Sequence, residues 1–289
     1  MLNYINILRP HHWVKNILVF IPLLASHEIN DLTLKYSILA FISFSLIASC
    51  GYVFNDIVDL RSDKLHPYKK KRALASGKIT KLQSKLIIIF LLLAVTLISS
   101  QINLEFFFTV AIYFLLTIIY SISIKKKIIL DIIILSIFYT IRIYAGSQAT
   151  GIFISTWLLT FSIFFFFALA TIKRQTELVY LVKKKKTNIK GRGYKITDLP
   201  IITIMAVCAG YLSIVTLAFY INSEEVIKLY SNPVFLWGVC FVLLYWITRI
   251  IFVANHGLMH FDPIIYASKD KVSYICLIII LFFITASII

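Results

Sequence analysis

The sequence predicts an all-α integral membrane protein with about nine transmembrane helices, N-terminus cytoplasmic and C-terminus outside. Three observations predict it. First, the chain of 289 residues is 60% hydrophobic with a mean hydropathy of +0.89, far more apolar than a soluble domain of this length. Second, long apolar runs recur from one end to the other. Third, Lys and Arg are unevenly spread. With the N-terminus inside, 26 of the 29 basic residues fall on or beside inner loops; Lys35 and Lys228 lie outside and Arg142 lies within a helix.

The apolar runs cover 14–26, 36–55, 84–100, 105–122, 129–147, 154–171, 200–221, 233–253 and 273–289. Most can cross a hydrocarbon core of about 30 Å, whereas the first is short and needs help from its neighbours. Lipid offers no backbone partners, so these runs are helices. Their length and their lack of strict alternation exclude a barrel. No internal repeat or separate soluble domain is evident, and a single transmembrane domain over 1–289 is expected. The start, MLNYINILRPHHWVKN, lacks the charged and apolar regions of a cleavable signal. The formal charge of +16 on so apolar a chain points to anionic lipid or phosphate ligands rather than nucleic acid. Cys50, Cys208, Cys240 and Cys276 stand singly and read as small core residues.

Along the chain, the first polar group is RPHHWVKN, 9–16. There Arg9, Lys15 and Asn16 approach the membrane, with Trp13 as an interfacial aromatic. His11 and His12 are adjacent, point apart on a helix and make a poor metal pair.

The next is NDIVDLRSDKLHPYKKKRALASG, 55–77, the most informative stretch. Asp56, Asp59 and Asp63 at i, i+3 and i+7 share one helix face where an apolar helix meets water. Stacked like charges repel unless a cation lies between them, and a divalent ion such as Mg²⁺ prefers carboxylate oxygens. Asn55 opens this candidate metal site. Lys69, Lys70, Lys71 and Arg72 follow within nine residues of Asp63, and of these Lys69 and Arg72 are able to neutralise a departing diphosphate. A helix end with solvated acids is the bland alternative.

Further on, YSISIKKKIILD, 120–131, holds Tyr120, Lys125 and Asp131. Arg142 lies about three turns beyond Asp131 inside an apolar helix and requires a carboxylate, a carbonyl or a bound phosphate. KRQTEL, 173–178, closes the sixth run with Lys173, Arg174 and Glu177; Lys173 and Glu177 form an i, i+4 pair. Lys183–Lys186 reads as a solvated, lipid-facing run. His256 and His260 lack the context of a metalloprotease motif and read as loop residues. Eight of the thirteen acids fall on or near the inner side, so the chemistry is expected to face the cytoplasm.

With these residues in view, the chain resembles the UbiA superfamily of intramembrane prenyltransferases. NDIVDLRSD, 55–63, matches that family's NDxxDxxxD motif in full. More narrowly, RPHHWVKN, HPYKKKRALASG (66–77), YSISIKKKIILD, IRIYAGSQATG (141–151), KRQTEL, GRGYKITDLP (191–200) and FDPIIYASKDKVS (261–273) resemble the decaprenyl-phosphate phosphoribosyltransferase branch. Two departures stand out. Asp131 is followed by IIILS, so the second Asp-rich cluster of the aromatic prenyltransferases is missing. The proline usual in the family's RPIASG is also absent from RALASG (72–77).

The resemblance implies a bacterial cytoplasmic-membrane transferase with phosphoribosyl diphosphate as donor and a polyprenyl phosphate as acceptor. It implies Mg²⁺ on Asp56, Asp59 and Asp63, and a lipid phosphate already ionised near pH 7, so that no general base is needed. Lys15, Lys69, Arg72, Lys125 and Arg142 would share the ribose phosphate, the diphosphate and the lipid phosphate. A prenyl diphosphate-dependent enzyme acting on an aromatic acceptor is the main alternative. A transporter would place its acids near the midplane, and a scaffold would not need them. Lipid length and oligomeric state are not set by the sequence.

Overall fold

The computed structural model describes residues 2–65, 69–184, 192–259 and 262–289. Every regular element among them is a helix. The chain divides into two compact units, Met1–Lys125 with Ile141–Phe153, and Lys126–Thr140 with Ile154–Ile289.

The first unit starts with α1 (Leu2–Leu8) and a 3₁₀ helix, Pro10–Phe20, which runs on into α2 (Ile21–Ser26). Arg9 joins α1 to the 3₁₀ helix at φ 52°, a left-handed backbone that only a tight local context holds in a non-glycine residue. At the wider rise of a 3₁₀ helix, Pro10–Ser26 runs about 31 Å.

α3 (Asp31–Val58) is the centre of this unit, packed by α1, the 3₁₀ helix, α5 (Lys81–Ser99) and α6 (Leu104–Ile122). Asn30 caps it, accepting from the Leu32 and Thr33 backbone N–H groups while Thr33 Oγ1 accepts from Asn30 N–H. Thr80 and Gln83 form the same reciprocal cap on α5, and Asn103 caps α6. Small residues let the helices close: a Cβ on Gly51 would fall 2.6 Å from Thr117 Cγ2. α3 stops at Val58, and after Asp59 a short helix, α4 (Leu60–Lys64), begins.

α7 (Leu130–Thr150) supplies its second half to the first unit and its first half to the second. Gly151, at φ 73°, ends it in the left-handed conformation that glycine adopts without steric cost. In the second unit, α8 (Thr156–Lys183) packs along α9 (Leu199–Ile221). Beyond α10 (Glu224–Leu229), α11 (Leu236–Asn255) lies against α8 and α9. α12 (Pro263–Ala267) and α13 (Lys271–Ile288) complete it, with α13 packed on α11.

Eight described helices are long and apolar enough to cross a membrane. The nine expected runs therefore become eight spanning helices plus the 3₁₀–α2 segment. The other correction concerns α8: KRQTEL does not close it, because the helix continues to Lys183. Apolar content falls after residue 171, but Arg174, Gln175 and Thr176 are all buried. Packing, not hydropathy, carries the helix onward. Among the cysteines, Cys50, Cys240 and Cys276 are buried as expected, while Cys208 on α9 is exposed.

Candidate active site

Acids and bases of the 55–77 segment meet in the first unit. Asp56 and Asp63 are buried, and both turn to Arg72. Its Nη1 donates to Asp56 Oδ1 at 3.1 Å and to Asp63 Oδ2 at 2.6 Å. The two carboxylates thus share a single nitrogen across the break between α3 and α4. Backbone bonds from Asp59 N to Asn55 O and from Asp63 N to Asp59 O carry the helical register over that break. Arg9 donates a second charged bond to Asp56 at 2.5 Å, its guanidinium lying 5.2 Å from the Tyr52 ring centroid. Lys69 Nζ approaches Asp63 at 4.0 Å.

Asp59 points elsewhere. It accepts from Lys125 Nζ at 2.6 Å, and the same ammonium reaches Asn55 Oδ1 at 3.2 Å. The three acids therefore form a pair and a single rather than one triad. Among the described residues no group of three His, Cys, Asp or Glu side chains converges as a metal site. The donor set still fits a magnesium ion. Asp56 and Asp63 already hold one positive centre between them, with hard oxygen ligands, and Mg²⁺ is typically bound by one or two carboxylates plus waters and substrate phosphates.

Deeper in the same unit, Asn16 is buried and bonds Ser45 Oγ through Nδ2 at 3.1 Å. Its Oδ1 accepts from Arg142 Nε at 2.7 Å. Arg142 Nη2 donates to Tyr113 OH at 2.8 Å. Lys15 is buried beside Asn16 in the 3₁₀ helix, and Tyr120 is half-buried near the end of α6. His11 and His12 do not point apart, since their rings lie 4.3 Å centre to centre.

The second unit holds a separate ionic cluster. Arg174, with no exposed surface, donates to Asp131 through Nε at 2.5 Å and to Glu177 through Nη1 at 2.5 Å. Arg192 Nη1 reaches Asp131 at 2.7 Å and its Nε reaches Glu177 at 3.5 Å. Two guanidinium groups thus neutralise two carboxylates and tie the Arg192 loop to α7 and α8. Tyr194, two residues on, accepts from the Ile129 backbone N–H at 3.0 Å, where Ile129 takes a left-handed φ of 68°. Burial pushes the Tyr194 hydroxyl up to about 12. Lys173 does not pair with Glu177; it meets Asp262 at 3.1 Å.

Sequence reasoning left Arg9, Tyr113, Glu177 and Arg192 out of the candidate site. Arg9 stood in a quoted motif, but its partner lies 47 residues away, a pairing that no local spacing reveals. His260 falls outside the described residues.

The family model described as the UbiA prenyltransferase family matches residues 17–257. The chain is 34% identical over 278 residues to the nodulation protein NoeC of Azorhizobium caulinodans, covering 96% of this chain and 90% of that protein. It is 31% identical over 236 residues to the decaprenyl-phosphate phosphoribosyltransferase of Corynebacterium glutamicum, covering 76% of this chain and 68% of that one. In fold it is similar to a UbiA homologue from Archaeoglobus fulgidus solved with GPP and Mg²⁺ bound. The TM-score is 0.73 over 98% of this chain and 99% of that one, at 15% identity. The family match over most of the chain, on an all-helical membrane fold with the complete NDIVDLRSD motif, places this protein in the UbiA prenyltransferase family of membrane transferases.

Proposed function

We propose that this chain transfers the 5-phosphoribosyl group of phosphoribosyl diphosphate to a polyprenyl phosphate and releases diphosphate. The reaction takes place at the cytoplasmic face of a bacterial inner membrane. The observation that carries the choice of donor is Asp131. It stands alone before IIILS, with no second or third acid, and it is neutralised by Arg174 and Arg192. That favours one acid-rich face over the two of the aromatic prenyltransferases. Likeness over 76% of the chain to the Corynebacterium glutamicum enzyme supports the same donor.

In this reading Asp56 and Asp63 would hold the magnesium ion, while Asp59, turned to Lys125, stands apart from the pair. A magnesium ion held there would supply positive charge against the departing diphosphate. Arg72 and Arg9 are released from the two carboxylates and turn to the diphosphate oxygens, where charged hydrogen bonds favour the leaving group. Lys69, at the exposed rim, adds attraction for the incoming donor. Lys125, fixed by Asn55 and Asp59, neutralises a further oxygen. The C1–diphosphate bond breaks as a lipid phosphate oxygen bonds C1. The nucleophile is already ionised, so no side chain has to remove a proton. Arg174 is wholly enclosed, and its part with Asp131 is to hold α7 and α8 in place.

A prenyl diphosphate donor with an aromatic acceptor is the second reading, favoured by the fold likeness to the homologue solved with GPP. Diphosphate release by purified protein separates the two. The proposal expects release that requires phosphoribosyl diphosphate, polyprenyl phosphate and Mg²⁺ together. Release only with a prenyl diphosphate and an aromatic acid overturns it.

A further inference from the structure

We infer that the start of α5 is a docking surface for anionic phospholipid, with Lys78, Lys81 and Lys85 on the headgroups and the apolar stripe above them along the acyl chains. The inference stands apart from the choice of donor.

Charge is the first argument. Lys78, Lys81 and Lys85 are exposed, and so are Lys64, Lys70 and Lys71 just before them. Among the described residues none of these six lysines is paired with a carboxylate. Lys69 and Arg72, from the same stretch, turn instead to Asp63 and Asp56. The Ile79 backbone N–H bonds Ala73 O at 3.1 Å. That bond folds the connecting loop and keeps Lys70 and Lys71 at the same end as Lys78. The result is a cluster of like charges that this unit leaves uncompensated.

Level is the second argument. α3 and α5 run antiparallel: Ser43 Oγ lies 3.1 Å from Ser99 Oγ at one end, and Val53 and Ile57 pack with Ile79, Ile87 and Ile88 at the other. Counted from Ser99, Lys85 stands as far along α5 as Ile57 stands along α3 from Ser43, about 21 Å at 1.5 Å per residue. The lysines are therefore level with the acid motif, where the spanning helices give way to polar residues.

The helix face is the third. Ser84, Leu91, Val95 and Ser99 are buried, whereas Lys81 and Lys85 lead into Leu86, Ile89, Phe90, Leu93 and Leu97, each of these five more than half exposed. Spacings of three and four residues keep them on one stripe. From Leu86 to Leu97 the stripe is about 17 Å long, close to the roughly 15 Å of one leaflet's hydrocarbon. Cations followed by one leaflet's length of apolar surface complement a phospholipid that carries negative charge at its head. The lysine stems can lie along the chains while the ammonium groups stay in the headgroup layer. Because all six lysines are exposed, none encloses a single ligand. They suit a plane of headgroups, each attracted through charge.

The test titrates the detergent-purified full chain with phosphatidylglycerol or with phosphatidylcholine. It reads the thermal midpoint and, by native mass spectrometry, the lipid retained. In wild type the half-maximal concentration should be about ten- to hundredfold lower for phosphatidylglycerol, and the difference should shrink at high salt. The triple variant Lys78→Gln, Lys81→Gln, Lys85→Gln should lose most of that preference. Lys35→Gln, an exposed lysine at the opposite end of α3, should keep it. Equal responses to the two lipids in wild type, or an undiminished preference in the triple variant, overturn the surface. A midpoint raised by polyprenyl phosphate but not by phosphatidylglycerol, and lost in the triple variant, gives the lysines to the acceptor and overturns the phospholipid assignment. No transfer step enters these readouts, so a failed choice of donor would leave them unchanged.

Discussion

Arg72 and Asp63 lie 2.6 Å apart, and the guanidinium nitrogen that joins them also reaches Asp56. A helix ending at Val58 and resuming at Leu60 carries two buried acids, and one arginine from the following loop answers both. Removing either carboxylate charge takes away half of that cation-binding pair. Asp63→Asn keeps the shape but should lower turnover by at least about a hundredfold at saturating Mg²⁺. It should also weaken the apparent affinity for the ion. Near-wild-type diphosphate release from the folded variant would remove Asp63 from the site.

The Arg174 cluster predicts a stability effect rather than a kinetic one. Arg174→Met leaves Asp131 and Glu177 short of a buried positive charge, a change that costs about 3–5 kcal/mol. The thermal midpoint in detergent should fall sharply. Replacing Asp131 and Glu177 with leucine in the same protein should recover much of the loss, because the uncompensated charges leave with them. A midpoint unchanged by Arg174→Met would contradict the ionic role.

Gly146 predicts a backbone clash. Gly146→Ala sets a methyl against the Val19 carbonyl, which is main chain and cannot swing aside. The cost should be about 1–3 kcal/mol or more, read as a lower midpoint and poorer recovery from the membrane. The IRIYAGSQATG motif contains this glycine, and the contact gives a physical reason for its place there.

Asp270 carries a pH effect. Burial pushes its carboxyl up, but hydrogen bonds from Arg249 at 2.7 and 3.0 Å and from Ser273 outweigh that and hold it below the usual carboxylate range. The ordinary value is about 3.9. With the folded value depressed, the contribution to stability is complete above about pH 4 and is lost as pH falls through the folded value. Acid unfolding followed by circular dichroism should show this component in wild type and not in Asp270→Asn. An identical acid limb in both would contradict it.

Much of this fold is written in hydropathy, and the family in one nine-residue motif. Apolar runs report lipid exposure, so they marked the spanning helices well. They missed the last three turns of α8, which are buried by polar contacts that hydropathy counts as loop. They also counted 14–26 as an ordinary helix, where Arg9–Pro10 starts a 3₁₀ helix with a longer rise. Period alone put Asp56, Asp59 and Asp63 on one face, but which cation each acid meets was not legible. Arg9, Arg72 and Lys125 are chosen by tertiary packing, and Lys125 reaches Asp59 across 66 residues. The pairing of Arg142 with Asn16 spans 126. Sequence spacing named the residues with a chemistry; only the packing of α3 against its neighbours decided which of them meet.

The central claim is the identity of the group transferred, and the mass of the lipid product tests it most directly. Purified protein is given polyprenyl phosphate, Mg²⁺ and phosphoribosyl diphosphate, and the extracted lipid is weighed by mass spectrometry. The account predicts a lipid heavier by one phosphoribosyl group, absent when Asp56→Asn replaces wild type. An unchanged lipid, from protein that readily prenylates an aromatic acid with a prenyl diphosphate, would contradict it.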